Sequence, residues 1–377
     1  MIGKEYRQWA DEVWSKLDNK LQKIAIKSRD KLPYTTINGA HDDMQKKDVA
    51  WWTNGFFGGM MWLMYVGTGN EEYRITAERS EELLDKAFEK TDNLHHDVGF
   101  MWNLTSGVNF RLSGKESSKN RLNLATAILA SRYNIDGEFI RAWPTWSKEQ
   151  DNTGVTIIDC MMNIPMLYRA SAFDGDNRFR KIGMKHADMA MKHHIREDGS
   201  VYHIVDHNPD TGEIIDYRAG QGYSKESAWS RGQAWAVYGF ILSYIHTKEE
   251  RYLDTAKKAA QFFVENVKKT DYLPLADFRC PEEPVIYDST AGVCAACGLI
   301  EIANAVPDNE KQYYMDAAIK ILKATVEKCC NWEEDEDSVL QMGTEAYARG
   351  IHKPIIYGDF FLVEAMLKLK DNDFLIW

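Results

Sequence analysis

One supersecondary unit recurs along the chain: an apolar helix rich in small and aromatic residues, a short polar turn, and an amphipathic helix opened by an aromatic residue. Such a unit cannot bury its apolar face alone, so several copies must pack around a common core. Apolar positions three and four residues apart in the second helices fit the α-helical period. The four clear copies have first helices predicted over 56–66, 156–172, 229–245 and 291–305, and second helices beginning near Tyr73, Phe179, Tyr252 and Tyr314.

Two weaker hairpins complete the pattern. Residues 98–110 pair with 118–133, and 357–369 pair with the N-terminal helix over 6–26. Strand-like alternation is confined to short pieces such as 200–205, which are too few for a principal sheet. The sequence therefore predicts an all-α fold, a six-hairpin (α/α)6 toroid or barrel. Since no Pro- or Ser-rich linker divides the chain, residues 1–377 are expected to form a single domain.

Charge and composition exclude several classes of function. The net charge of −11 argues against binding to nucleic acid or to an anionic membrane surface. The first residues lack the apolar core of a secretory signal, and the sequence has no apolar run of about 18 residues. We therefore expect a cytoplasmic protein. The six cysteines are scattered, and Cys294-x-x-Cys297 has no second pair at zinc spacing, so reduced thiols, no metal and no cofactor are expected.

Polar residues near the starts of the apolar helices need a reason, because helices at the centre of a barrel are normally apolar all round. Asp159, Asn163, Trp229, Arg231 and Gln233 are of this kind. In a toroid the first turns of the inner helices, and the loops before them, gather at one end, which we call the mouth. A sugar-sized cavity can form there.

Two segments, 95–102 and 151–163, each place an aspartate near the start of an inner helix. Asp97 can be explained by simple capping, because the helix N-terminus favours a carboxylate. Asp159 is harder to explain in this way, since it lies further inside the predicted helix with Asn163 one turn onward on the same face. These two aspartates are the candidate acids.

A third segment, 226–240, combines tryptophans with Arg231 and a glutamine. Aromatic faces bind the C–H surfaces of sugars, and a guanidinium binds a carboxylate through paired hydrogen bonds. Core packing is the alternative explanation for Trp229. Residues 51–56 open the first inner helix in the same style, and Trp143 follows an arginine in a loop.

These motifs resemble glycoside hydrolase family 88, the unsaturated glucuronyl hydrolases, and the likeness spans nearly the whole chain. The chain departs from some members by having Gly220 before Gln221. The most specific elements are His95-His96-Asp97-x-Gly99-Phe100, Ile158-Asp159-Cys160-Met161-Met162-Asn163 and Trp229-x-Arg231-Gly232-Gln233-Ala234-Trp235.

The resemblance implies the same barrel, with catalysis by Asp97 and Asp159. By itself, His203 would be interpreted as an ordinary packed histidine. The implied sugar contacts come from Trp52, His96, Trp143, His203, Gln221, Trp229, Arg231 and Trp235.

The chemistry implied by the resemblance is hydration of a C4=C5 enol ether in a terminal unsaturated uronic acid. Asp159 is expected to protonate C4 and then to act as a base, while water adds at C5 and the product rearranges to expel the remaining sugar. Asp97 would raise the pKa of the pair, because two carboxylates resist double ionisation. The expected partner is an unsaturated di- or oligosaccharide.

Several alternatives stay open. An inverting glycosidase would use a similar pair of aspartates on a saturated substrate, and a hydrolase of unsaturated rhamnogalacturonyl ends is a closer variant. A non-catalytic sugar-binding protein is a third alternative, whereas an epimerase would need two facing histidines that the sequence does not indicate. The chain is expected to be a monomer or homodimer, and candidates for an outer subsite are Lys225, Arg349, His352 and Lys353.

Overall fold

The computed structural model describes residues 4–147 and 150–377. Helices dominate this part of the chain, and the strands are short. The α-helices, α1 to α13 in order, are Lys4–Lys27, Phe56–Thr68, Glu71–Leu84, Val98–Trp102, Ser106–Ser113, Glu116–Ser131, Pro165–Asp174, Asn177–His193, Ser230–Thr247, Glu250–Val267, Ser289–Ala305, Asp308–Cys329 and Ile356–Leu369. The strands, β1 to β7, are Thr36–Ile37, Ala40–His41, Tyr133–Asn134, Phe139–Ile140, Val155–Ile157, Ile204–His207 and Ile214–Arg218.

The helices form two concentric layers, which confirms the predicted all-α barrel. In the inner layer, α7 packs on α9, α9 on α11, α11 on α13, and α13 on α2. Each inner helix also packs against an outer partner: α2 on α3, α7 on α8, α9 on α10, α11 on α12, and α13 on α1. The inner helix α9 is buried along almost its whole length, whereas α10 buries one face, as the sequence pattern predicts.

The predicted inner helix over 156–172 is wrong in its first half. Residues Val155–Ile157 form β5, a 3₁₀-helix follows over Ile158–Met162, and α7 begins only at Pro165. The β-branched run suits a strand, and proline is tolerated at the first helical position because its missing N–H would be unpaired there anyway. Asp159 therefore lies on a tight turn, and not inside a regular helix.

The predicted helix over 98–110 is also interrupted. It consists of α4 and α5, because Thr105 leaves the helical region with φ −106° and ψ −84°. The hydroxyl of Thr105 donates to the carbonyl of Met101 at 2.7 Å. Such local side-chain hydrogen bonds compete with the regular backbone ladder, which accounts for a break that apolar periodicity alone does not predict.

A small three-stranded antiparallel sheet, in the order β5-β6-β7, supports the mouth. Val155 pairs with Asp206 and Ile157 with Ile204, and the Ile158 N–H donates to the His203 carbonyl at 3.1 Å. This register places Ile158, which follows β5, beside His203, which precedes β6. Because Asp159 is the next residue after Ile158, it also lies close to His203.

Aromatic side chains fill the barrel axis below the mouth. Phe56, Phe100, Phe361 and Trp377 are fully buried, and the rings of Phe361 and Trp377 stack at 6.0 Å. Burial of a large apolar side chain contributes about 1.5–3 kcal/mol, so this column is a large part of the core. All six cysteines are free. No helix among the described residues combines the length and apolar character that crossing a bilayer requires.

Candidate active site

A cavity of about 450 Å³ opens at the mouth. Its volume falls within the range of small-molecule sites. A larger cavity of about 710 Å³ is lined by the C-terminal ends of α9 and α11 and contains neither candidate aspartate. The aromatic residues of the mouth cavity are Tyr34, Trp51, Trp52, Trp143, Trp146 and Tyr357, and its main polar residues are His95, His96, Asp97, Asp159, His203, Gln221, Glu345 and Arg349.

Asp97 immediately precedes α4 and is 7% exposed. Its Oδ1 accepts a hydrogen bond from Asn163 Nδ2 at 3.0 Å. Its Oδ2 lies 3.5 Å from His95 Nδ1 and 3.4 Å from His96 Nε2. Neighbours on several sides therefore hold this carboxylate in one orientation at the cavity wall.

Asp159 lies in the 3₁₀-helix Ile158–Met162 and is 9% exposed. Its Oδ1 is buried and accepts no hydrogen bond from any described residue, although His203 Nε2 lies 3.4 Å away. A buried carboxylate oxygen without a hydrogen bond is costly unless a ligand or a proton satisfies it. Asp159 lines the cavity, and no described residue donates a hydrogen bond to its carboxylate, so this group is available for proton transfer.

Asn163 connects the two aspartates. Its Nδ2 donates to Asp97 Oδ1 and also to the Asp159 carbonyl at 3.1 Å, while its Oδ1 accepts from the Phe100 N–H at 2.8 Å. A Cβ on Gly99 would lie 2.7 Å from Asn163 atoms, so glycine permits this close approach. The sequence showed Asn163 only as a neighbour on the same face as Asp159, and its link to Asp97 emerges from the fold.

The pKa of Asp97 is raised well above its usual value, first by burial and then by the negative charge of Asp159. The hydrogen bond from Asn163 opposes this rise in pKa. Burial lowers the pKa of His95 to about 3 and that of His96 well below its usual value, so both rings are neutral at neutral pH. The sequence assigned the proton to Asp159 and the coupling to Asp97, and in the structure the charge of one carboxyl does act on the other. Because the charges interact, titration belongs to the pair.

His203 connects Asp159 to the loop that carries Gln221. The Gln221 N–H donates to His203 Nδ1 at 3.1 Å. A neutral ring that accepts at Nδ1 carries its proton on Nε2, so the N–H of His203 faces Asp159. The Trp229 ring packs against the imidazole, with 4.2 Å between centroids. Trp229 therefore supports His203 from behind.

The structure brings together seven of the ten residues expected to form the site and places the other three behind the wall. Trp229 and Trp235 are buried, and Trp235 packs on Phe100 and Phe361. Those lining the cavity are Trp52, His96, Asp97, Trp143, Asp159, His203 and Gln221.

Arg231 differs most from its expected role. It is 1% exposed, and its guanidinium is bonded to the carboxylate of Asp288. It also donates to the carbonyls of Thr344 at 2.6 Å and Glu345 at 2.8 Å. Because these donors are occupied, Arg231 anchors the segment around Glu345, which forms the opposite wall of the cavity. It does not offer a ligand carboxylate the paired N–H groups that the sequence predicted.

Sequence reasoning missed Tyr34 and Glu345, which lie far apart in the chain and carry no motif. The Tyr34 hydroxyl donates to Glu345, whose carboxylate is also paired with Arg349 and Lys353. Of the four basic residues expected at an outer subsite, only Arg349 lines the cavity. Lys225 pairs with Asp216, and His352 Nε2 accepts from the Tyr287 N–H.

His95, His96 and Asp97 are the group of described residues with the spacing of metal ligands, since their ligand atoms lie within 4.8 Å of one another. Two neutral imidazoles and a carboxylate are a donor set that suits a transition metal. The expected absence of a metal stays a prediction.

Two acids that share an aromatic cavity at the mouth of an α/α barrel define a carbohydrate-processing enzyme. Comparison with known proteins agrees. The family model described as Glycosyl Hydrolase Family 88 matches residues 25–243. The chain belongs to this family.

Two relatives and one solved structure illustrate the likeness. The unsaturated glucuronyl hydrolase of Bacillus sp. (strain GL1) is 34% identical over 326 residues, covering 85% of this chain and 86% of that protein. The unsaturated chondroitin disaccharide hydrolase of Streptococcus pyogenes serotype M1 is 32% identical over 329 residues, with coverages of 85% and 82%. The crystal structure of the Bacillus sp. GL1 enzyme superposes with a TM-score of 0.86 at 31% identity, covering 95% of this chain and 97% of that one.

Proposed function

We propose that this glycoside hydrolase removes the unsaturated uronic acid from the non-reducing end of an unsaturated oligosaccharide by hydrating its C4=C5 double bond. The observation that carries the proposal is the pair of buried carboxylates in one cavity, in which the charge of Asp159 helps to raise the pKa of Asp97. Such a pair retains one proton where isolated carboxylates would be ionised.

Asp159 is the proton donor in this proposal. Its carboxylate lines the cavity and receives no hydrogen bond from a described residue, whereas Asp97 Oδ1 is held by Asn163. Protonated Asp159 gives its proton to C4 and leaves positive charge at C5 and the ring oxygen. The ionised Asp159 then takes a proton from the water that adds at C5.

The rest of the reaction follows from the hemiketal at C5. Its collapse breaks the bond between C5 and the ring oxygen, forms a ketone at C5, and leaves a hemiacetal at C1 that expels the remaining sugar. Asp97 helps to orient the ligand, and its charge coupling with Asp159 opposes ionisation of both carboxyls. Trp52 and Trp143 offer aromatic faces that position the sugar rings.

Relatives support the choice of substrate. Two carry names that specify unsaturated glucuronyl groups and unsaturated chondroitin disaccharide, and the solved Bacillus enzyme is described as responsible for the degradation of glycosaminoglycan. We infer that this chain acts on the unsaturated products that lyases release from glycosaminoglycans. Glu345 on the cavity wall is paired with both Arg349 and Lys353, so this side carries an excess of one positive charge, which suits an anionic sugar.

The test follows the ultraviolet absorbance of the conjugated double bond while purified enzyme acts on an unsaturated chondroitin or hyaluronan disaccharide. We expect the absorbance to fall as the second sugar is released. Saturated disaccharides of the same linkage serve as controls and should stay intact. Persistent absorbance together with cleavage of the saturated substrates would instead establish the inverting glycosidase, and binding without turnover would establish a sugar-binding protein.

A further inference from the structure

The wall of the cavity continues outward from Trp143 as a second indole. Trp146 also lines the cavity, and its ring centroid lies 5.5 Å from that of Trp143 with 36° between the planes. Trp143 packs on the small apolar cluster that includes Val155 and Ile204. Trp146, by contrast, is 59% exposed. The two rings therefore form a continuous aromatic wall that begins inside the cavity and ends in solvent.

The residues next to Trp146 are anchored by hydrogen bonds. Arg141 Nη2 donates to Thr145 Oγ1 at 3.0 Å, and the Asn152 N–H donates to the same oxygen at 3.2 Å. Asn152 Nδ2 donates to the Pro144 carbonyl at 2.9 Å. Isolated exposed tryptophans need no explanation, but this ring is paired with another indole, lies at a cavity and follows a fixed backbone.

We infer that Trp146 is the binding platform for the sugar ring that follows the leaving sugar in an unsaturated oligosaccharide longer than a disaccharide. This inference rests on the proposed function, which places the uronic acid at Asp159. The next ring outward meets Trp143, and the ring after it meets Trp146. An indole face binds the C–H face of a pyranose and excludes water from it. The ligand is therefore a sugar recognised by its apolar face.

A platform at this position gives the enzyme a preference for longer chains. The ratio of kcat/KM for an unsaturated tetrasaccharide to that for the unsaturated disaccharide with the same first two sugars should exceed one in the wild type. Trp146→Ala should lower this ratio by about three- to tenfold, the loss expected for one aromatic contact. Trp146→Phe should keep most of the preference, because the phenyl ring retains a face for stacking.

Binding without turnover tests the same point independently. In an Asp159→Asn background, calorimetry should show tighter binding of the tetrasaccharide than of the disaccharide, and adding Trp146→Ala should remove the difference. Tyr313→Ala removes a partly exposed aromatic ring from α12, outside the cavity, and should leave both ratios as in the wild type.

Equal length ratios for the wild type and Trp146→Ala, in turnover and in binding, would overturn the inference. That result would leave the proposed function standing if the wild type still consumes the disaccharide. Failure to consume the disaccharide, with the Trp146-dependent difference in affinity preserved, would instead overturn the hydration proposal alone.

Discussion

Asn163 links two aspartates that are distant in the sequence. It lies four residues after Asp159 and 66 residues after Asp97, and its amide donates to the Asp159 backbone carbonyl and to Asp97 Oδ1. Its hydrogen bond favours the ionised form of Asp97, while burial and the charge of Asp159 favour the neutral form. The balance between these effects sets the pH range in which the pair carries one proton.

Replacing Asp159 should remove nearly all activity. Asp159→Asn keeps the size of the side chain but removes the proposed proton donor, and loss of a general acid costs about 100- to 10,000-fold in rate. The decrease should lie in kcat, with disaccharide affinity retained. Steady-state kinetics and calorimetry on the purified variant check this, and a variant within tenfold of the wild-type kcat would refute the assigned role.

Replacing Asn163 should change the pH profile. Asn163→Ala removes the donor that lowers the pKa of Asp97, so this pKa rises further. The pair retains its proton below that pKa and loses it above, and the alkaline limb of the kcat/KM profile should therefore move to higher pH. Unfolding should also become easier by about 1–3 kcal/mol, because the buried Asp97 Oδ1 loses its hydrogen-bond donor.

Asn109→Ala is the matched control for this variant. Asn109 is also fully buried, and its Nδ2 donates to Glu81 at 2.7 Å, outside the cavity. It should lose a similar stability in a denaturant titration while its pH profile stays in place. An unmoved alkaline limb in Asn163→Ala would contradict the proposed control of the pKa of Asp97.

Residue types and spacing were enough to predict the two acids and the aromatic wall, but not the partner of each polar group. Arg231 shows the limit. Its motif predicts a carboxylate contact, and the structure supplies one from Asp288, 57 residues away in the chain. Nothing in the local sequence distinguishes a ligand carboxylate from this internal one, because both satisfy the same guanidinium.

Among the secondary-structure elements, the paired strands β5 and β6 position the candidate catalytic residue Asp159. Their pairing fixes the turn that carries Asp159 relative to His203, and with that turn it takes the place of the first half of the helix predicted over 156–172. The inner helices α2, α9, α11 and α13 were predicted correctly, because a helix buried on all sides carries a long apolar run. A three-residue strand gives no such signal, and its identity depends on a partner about 50 residues away.

A change at Gly154 should therefore impair activity from outside the cavity. Gly154 immediately precedes β5, and a Cβ on this residue would lie 1.7 Å from the His207 carbonyl oxygen. Gly154→Ala should displace β5, and with it Asp159, and lower kcat by about tenfold to a hundredfold. Kinetics and thermal unfolding of the purified variant measure both effects.

Gly175→Ala provides the comparison. Gly175 ends α7 with φ +70° and has no atom within 4 Å of an added Cβ. The alanine should cost about 1 kcal/mol of stability through its left-handed backbone and leave kcat as in the wild type. If Gly154→Ala matched this control in kcat, the role of β5 in placing Asp159 would be wrong.

At the scale of the whole molecule, the aromatic column along the axis joins helices from both ends of the chain. Phe56 of α2 contacts Phe100 and Phe361, and Trp377 stacks on Phe361. Such a core couples all parts of the barrel, so we predict a single calorimetric unfolding transition in agreement with one domain. Two separated transitions would contradict the single-domain prediction.

The proposed reaction requires water to attack C5 and not the anomeric carbon. In a single-turnover experiment in ¹⁸O-labelled water, borohydride reduces the product as it forms. Mass spectrometry of the reduced product then shows which carbon carries the new oxygen. Hydration at C5 predicts the label at C5 of the released uronic acid, with the ring oxygen retained at C1. Label at C1 would contradict hydration at C5 and establish direct displacement at the anomeric carbon.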